Sequence, residues 1–308
     1  MTAVSRALIL FVPLVLFALG GALYTPSPSS TSTTEESDIS LASLPPLPKW
    51  AQAPLPDFSE YRDVTERKVA FFSFLYPRIV LANSRILIER EYLEQLAGKD
   101  TLSTGEQTWL SDQAQRLRVD GEPGSQAQFD GLRKHLDVIP PSLILAQAAN
   151  ESAWGQSRFA VRGNNLFGQW CFTKGCGLVP QSRPEGSSHE VATFSSPYFS
   201  VRSYIQNLNR HAAYQQVRDV REQDRQNNRA LSGVRLAAGL ISYSERGEDY
   251  IEEIRSMIRF NNLEFYDQEF RDLLQKRTPN RFVELASARV ESSLLPSGED
   301  GAATPFEG

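Results

Sequence analysis

The sequence predicts a mainly α-helical fold interrupted by one hairpin-like insertion, and three observations carry that expectation. Apolar residues recur at helical spacing through most of the chain from residue 61 onward. Between 164 and 199 the character changes to glycines, aromatics and short β-like runs, and this stretch holds both cysteines. With 308 residues, 41% of them hydrophobic, the chain has enough apolar surface for one substantial core, or for one core and an accessory region.

The first element is a targeting segment. Arg6 precedes an apolar run over 7–23, which gives way to Thr, Ser and the acidic Glu35, Glu36 and Asp38. A run of this length lies between a signal-peptide core and the shortest spanning helix, so residues 1–24 are expected to be a signal peptide or a signal anchor. Gly20 and Ala22 offer small residues for cleavage after Ala22, and the lack of a nearby cysteine excludes a lipoprotein. If the segment is retained, its lone N-terminal positive charge puts the bulk of the chain outside the cytoplasmic membrane. Residues 25–58 are rich in Ser, Thr and Pro and read as a tether. Fully extended at ~3.1 Å per residue it reaches roughly 100 Å, and as a flexible coil ~30 Å.

Helical character begins beyond Tyr61. Residues 64–77 and 78–96 carry apolar side chains at helical spacing, among them Ile79, Leu81, Ile86, Leu87, Leu93 and Leu96, until Gly98 and Asp100 break the pattern. Ser103 and Glu106 have capping-box spacing and open a helix to about Leu117. A turn over 120–124 leads to a short helix at 125–136. Pro140 and Pro141 suit a first turn, where a missing N–H costs nothing, and 143–153 then carry helix formers up to a stop at Gly155. Beyond the insertion, 201–214, 231–243 and 250–261 again read as helices. The expected organisation is a helical region at 59–124, a central domain at 125–267 and a tail at 268–308 that is disordered from about 292.

The stretch Ala-Gln-Ala-Ala-Asn-Glu-Ser-Ala-Trp-Gly at 146–155 sets one carboxylate, Glu151, among small and apolar residues near a helix end. At about 100° per residue Glu151 shares a stripe with Ile144, Gln147 and Ala148, so it points toward packed surface. Lost hydration and the negative end of the helix dipole then both raise its pKa. A carboxyl group that keeps its proton near neutral pH can serve as a general acid. Trp154, three residues on, is positioned to cover it with an aromatic face.

Other chemistries find little support. A net charge of -5 and the absence of any Lys/Arg block argue against nucleic acid as a partner. His135, His189 and His211 are scattered without metal-ligand spacing, and there is no HExxH or CxxC pair, so neither a metal nor a cofactor is implied. Cys171 and Cys176, with four residues between them including Gly175, are expected to close a tight hairpin as a disulfide in an exported protein, worth roughly 2 kcal/mol by loop entropy.

Taken together, Glu151 in its motif, the Gly-Asn-Asn-Leu-Phe-Gly turn at 163–168, and Tyr243 and Tyr250 at a helix start resemble the bacterial glucosaminidase domain of glycoside hydrolase family 73. The Trp-Cys-Phe-Thr-Lys-Gly-Cys-Gly insert at 170–177 is similar to that of the Bax-type proteins of Gram-negative bacteria. The resemblance covers 125–267. It implies a lysozyme-like helical fold with a small β-hairpin lobe, and cleavage of the glycosidic bond after N-acetylglucosamine in peptidoglycan. Glu151 takes the place of the family's general acid. Asn164, Asn165 and Phe167 occupy the cleft-lining turn, where an apolar platform and amide groups suit a sugar, and Trp154 and Tyr250 join them as expected substrate contacts.

Tyr243 is assigned a catalytic role in the cleft, although Tyr-Ser-Glu-Arg-Gly-Glu-Asp-Tyr at 243–250 has one residue more than the family's Tyr-x-x-Asp-x-x-Tyr. The second carboxylate is expected in the hairpin, where Glu185 and Glu190 flank Gly-Ser-Ser-His, with Glu185 preferred. Assistance by the sugar's own acetamido group is the alternative. The implied partner is the peptidoglycan glycan strand, with the cytoplasmic membrane added if the N-terminal segment is uncleaved, and the implied location is periplasmic. A non-catalytic peptidoglycan-binding module and a lytic transglycosylase using Glu151 alone are the competing readings.

Overall fold

The computed structural model describes residues 44–296 apart from 182, 184, 185, 277 and 279. The targeting segment at 1–24, most of the tether, Glu185 and the chain beyond 296 therefore lie outside the described residues. The rest is mainly helical with one three-stranded lobe, consistent with a lysozyme-like fold.

The longest element, α1 (Val64–Ala97), opens on Asp63, whose side chain accepts the Glu66 amide. The sequence suggested two helices meeting at Pro77, but one continuous helix runs through it. Next to it Arg78, itself fully buried, donates from its guanidinium to the Phe74 and Trp50 carbonyls and pairs with Glu291. By length and composition α1 could cross a bilayer, yet 83% of its apolar window is buried within the fold. It is a core helix.

The two halves of α1 serve two apolar clusters. Its first half joins Phe71, Phe72, Leu75 and Ile79 to a main core that runs from Ala51 to Leu294. Its second half packs Leu93 and Leu96 against α2 (Thr104–Leu117) and α3 (Gln126–His135) through Trp109, Leu110, Leu117, Phe129 and Leu132. The Ser103–Glu106 capping box is present as expected. The main core thus crosses the boundaries expected at 124/125 and 267/268. Leu294 is buried and Glu291 holds Arg78, so packing also continues past residue 292.

The central helix α4 (Pro141–Ser152) is almost wholly buried. Its N-terminus has no cap in the preceding sequence, because Pro140 has no side-chain acceptor. Asp267 supplies one from a distance: its carboxylate accepts the Ser142 amide at 2.8 Å, the Ser142 hydroxyl at 2.6 Å and the Gly233 amide at 3.3 Å. Gly233 must be glycine for this approach, since a Cβ there would fall 2.1 Å from Ser142 Oγ. The far end of α4 breaks sharply, with Ala153, Trp154 and Gly155 all at positive φ.

A short helix α5 (Arg158–Gly163) leads to the lobe. There β1 (Trp170–Cys171), β2 (Gly177–Leu178) and β3 (Glu190–Ala192) form an antiparallel sheet in the order β1-β3-β2, with Trp170 and Leu178 both opposite Val191. Cys171 and Cys176 are disulfide-bonded. The fold closes with α6 (Pro197–Arg210), α7 (Gln215–Gln226), α8 (Gly233–Leu236), α9 (Glu248–Phe260), α10 (Glu264–Gln275) and α11 (Arg281–Ala286).

Burial pushes the Asp267 carboxyl up to about 6, against the three hydrogen bonds that favour its charged form. Its folded pKa lies above the ordinary 3.8, so this contribution to stability is complete below about pH 4 and is lost as pH rises through about 6. Asp267→Asn should remove that decline, which is worth up to about 3 kcal/mol. Denaturant unfolding of both proteins from pH 4 to pH 7 checks this, and parallel stability curves would refute it.

Candidate active site

Glu151 sits one residue before the end of α4, half-buried, on the stripe that also carries Gln147. Its Oε1 accepts a 2.7 Å hydrogen bond from the Tyr250 hydroxyl, in the first turn of α9. That hydroxyl in turn accepts from Gln147 Nε2 at 2.8 Å, and Gln147 Oε1 accepts from the Tyr204 hydroxyl of α6. Gln147, Tyr204 and Tyr250 are all buried. A hydrogen-bonded chain of three side chains from three helices therefore ends on one carboxylate oxygen.

Opposing effects set the titration of Glu151. Burial raises its pKa, the Tyr250 and Asn150 hydrogen bonds lower it, and the Glu253 carboxylate adds a smaller upward push. Burial wins and the pKa is raised. Tyr250 responds in kind, its hydroxyl held protonated by burial and by the Glu151 charge. Glu253, which the sequence did not single out, is paired with Arg246 at 2.5 Å.

Tyr243 is half-buried beside this group. Its ring lies parallel to that of Tyr250, with centroids 5.4 Å apart, and its hydroxyl donates to the Phe167 carbonyl at 3.0 Å. This bond ties the loop before α9 to the turn at the base of the lobe. Within that turn the expected substrate contacts have different circumstances. Asn165 is buried and spends its whole amide on the backbone, donating to the Gln169 and Ala192 carbonyls and accepting from the Phe167 and Gln169 amides. No capacity is left for a sugar, so its role is to hold the turn. Phe167 is also buried, stacked on Tyr204 at 4.1 Å, and offers no platform. Asn164 differs: it takes a left-handed backbone at the end of α5 and donates to the Phe194 carbonyl, leaving its amide oxygen unengaged among the described residues.

Trp154 faces elsewhere than expected. Its ring packs edge-on against Phe71 and Phe72 of α1, and the Lys68 ammonium lies 5.1 Å from its centre. The left-handed turn of 153–155 directs it to the α1 side, where it anchors the end of the Glu151 helix. Gly155 completes this turn against Phe58, which leaves no room for a Cβ.

Glu190 is taken by the hairpin: its two carboxylate oxygens accept the Gly175 amide at 3.0 Å and the Gly177 amide at 2.8 Å, which lower its pKa. It clamps the disulfide loop and is not positioned as an acid. Glu185 lies outside the described residues. Cys171, Cys176 and Glu190 bring potential ligand atoms within 4.8 Å of one another, but the disulfide removes both thiolates a metal would need.

Tyr250→Phe removes the hydrogen bond that favours the Glu151 carboxylate. The titration midpoint of that carboxyl, followed by NMR, should therefore move upward. A midpoint that stays fixed or falls would contradict this account of the site.

Comparison with known proteins places this geometry. The family model described as Mannosyl-glycoprotein endo-beta-N-acetylglucosaminidase matches residues 127–263, which span α3 to α9 and include every side chain of the Glu151 chain of hydrogen bonds. Protein bax of Escherichia coli (strain K12) is 33% identical over 208 residues, covering 67% of this chain and 74% of that protein. No solved structure matches. The chain therefore belongs to the glucosaminidase family, as a glycoside hydrolase related to Protein bax of Escherichia coli.

Proposed function

We infer that the protein hydrolyses the β-1,4 glycosidic bond after N-acetylglucosamine in peptidoglycan, with Glu151 as the general acid. The observation that carries this is the Glu151 carboxyl itself: half-buried, raised in pKa by lost hydration, and fixed by Tyr250 on one oxygen only. A group in that condition holds a proton for a leaving oxygen and gives up a carboxylate that Tyr250 is ready to stabilise.

The second group is either Glu185 of the hairpin or the substrate's own acetamido oxygen. Among the described residues, Glu190 is occupied by backbone amides and Glu253 by Arg246. An acetamido oxygen attacking the anomeric carbon would need only to be oriented, and Tyr243, whose hydroxyl proton goes to the Phe167 carbonyl, could do so by accepting the acetamido N–H on its oxygen. Asn164 is the turn's remaining polar contact for a sugar. Residues 125–267 would carry the chemistry, with 59–124 as scaffold. The disulfide and the apolar run at 7–23 both suit a periplasmic location, with the N-terminal segment as signal or anchor.

Glu151→Gln should lower the release of reducing ends from purified peptidoglycan by at least about a hundredfold, with an unchanged circular-dichroism spectrum. Mass spectrometry of the wild-type products should show reducing N-acetylglucosamine ends. Anhydromuramic ends would instead assign a lytic transglycosylase, and binding without digestion a non-catalytic module.

A further inference from the structure

The lobe carries an exposed aromatic pair for which the fold has no use. Trp170 is 59% exposed and Phe172 is 70% exposed, on either side of Cys171. Leaving two large aromatic rings in water forgoes the burial that ordinarily justifies such residues. Their setting is nevertheless rigid. The Cys171–Cys176 disulfide closes the loop, and the Glu190 carboxylate pins it through the Gly175 and Gly177 amides. Trp170 is itself held: the His189 imidazole stacks on it at 4.1 Å and 18°, and Arg183 donates to the His189 carbonyl. One face of the indole is thus covered by His189, and its exposure lies on the remaining surface.

Trp170 is also mechanically continuous with the Glu151 site. It lies three residues beyond Phe167, whose carbonyl receives the Tyr243 hydroxyl. Its strand partner Val191 precedes Ala192, whose carbonyl is held by Asn165. An indole pre-fixed in this way loses little conformational entropy on binding and offers a flat apolar surface that matches the C–H face of a pyranose ring.

We propose that Trp170, with Phe172 beside it, is a stacking platform for a sugar unit of the glycan strand outside the cleavage position, so that the lobe grips the polymer while Glu151 acts on it. The inference rests on the glycan-cleaving reading above and adds to it a binding site on the insert. The platform distinguishes long strands from short ones: a fragment that fills only the cleavage position does not reach it.

Glycan strands stripped of stem peptides provide the probe. Binding is measured in the Glu151→Gln background, which leaves the strand uncut, and turnover of a short N-acetylglucosamine oligomer is measured with Glu151 intact. Trp170→Ala should weaken strand binding on the order of tenfold or more, Trp170→Phe should restore much of it, and kcat on the short oligomer should be unchanged. The strand should also shield Trp170, the most exposed of the tryptophans, from acrylamide quenching. Equal strand binding by Trp170→Ala and its parent would overturn the proposal. So would absence of strand binding by the parent, or a matching fall in kcat on the short oligomer. Persistence of activity in Glu151→Gln would instead defeat the assignment of the acid, which the binding measurements do not touch.

Discussion

The arrangement depends on the side-chain amide of Gln147. It lies in the middle of α4 with no exposure to solvent, and it joins the Tyr204 hydroxyl of α6 to the Tyr250 hydroxyl of α9. A buried amide without partners would be costly, so the three helices are constrained to bring both hydroxyls to it. Once Tyr250 accepts from Gln147, its own proton points to Glu151, one helical turn along the same stripe. The position of the carboxylate is thus a consequence of satisfying the core.

A second constraint orients α4 along its length. Asp267 caps its N-terminus from α10, and Trp154 wedges its C-terminal turn against α1. Behind it, the fully buried Arg221 of α7 donates to the Lys134, Asp137 and Val138 carbonyls and to Asn209, tying the segment that leads into α4 to α6 and α7. Asp137 completes this knot: burial pushes its pKa up, but Arg221, Arg225 and Arg90 outweigh that and keep it low. The acid therefore stands at the end of a helix that is fixed at both termini and on its sides. The region before residue 125 takes part directly, since Phe71 and Phe72 supply the wall for Trp154.

Much of this was legible in the sequence, and the parts that were not share a cause. The capping box, the helix opening at Pro141, the stripe shared by Gln147 and Glu151, and the cysteine pair all follow from local spacing. The helix α7 was missed because its inner face is made of Arg218, Arg221 and Asp224 as well as Val217, so apolar periodicity could not report its burial. The cap on α4 was hidden because Asp267 is 125 residues from Ser142. In the motif turn, sequence pointed to the right segment but not to the division of labour: Asn165 and Phe167 face inward to hold it, while Asn164 keeps an oxygen available. Side-chain direction in a left-handed turn is set by tertiary packing, and the same holds for Trp154.

The central claim is that burial, moderated by Tyr250, keeps Glu151 protonated above the range of an ordinary glutamic acid. The pH dependence of kcat/KM for peptidoglycan hydrolysis tests it most directly, because a general acid is active only while it holds its proton. The account predicts an alkaline limb governed by a pKa above 4.5. A limb at the ordinary glutamate value, or activity independent of pH across that range, would contradict it.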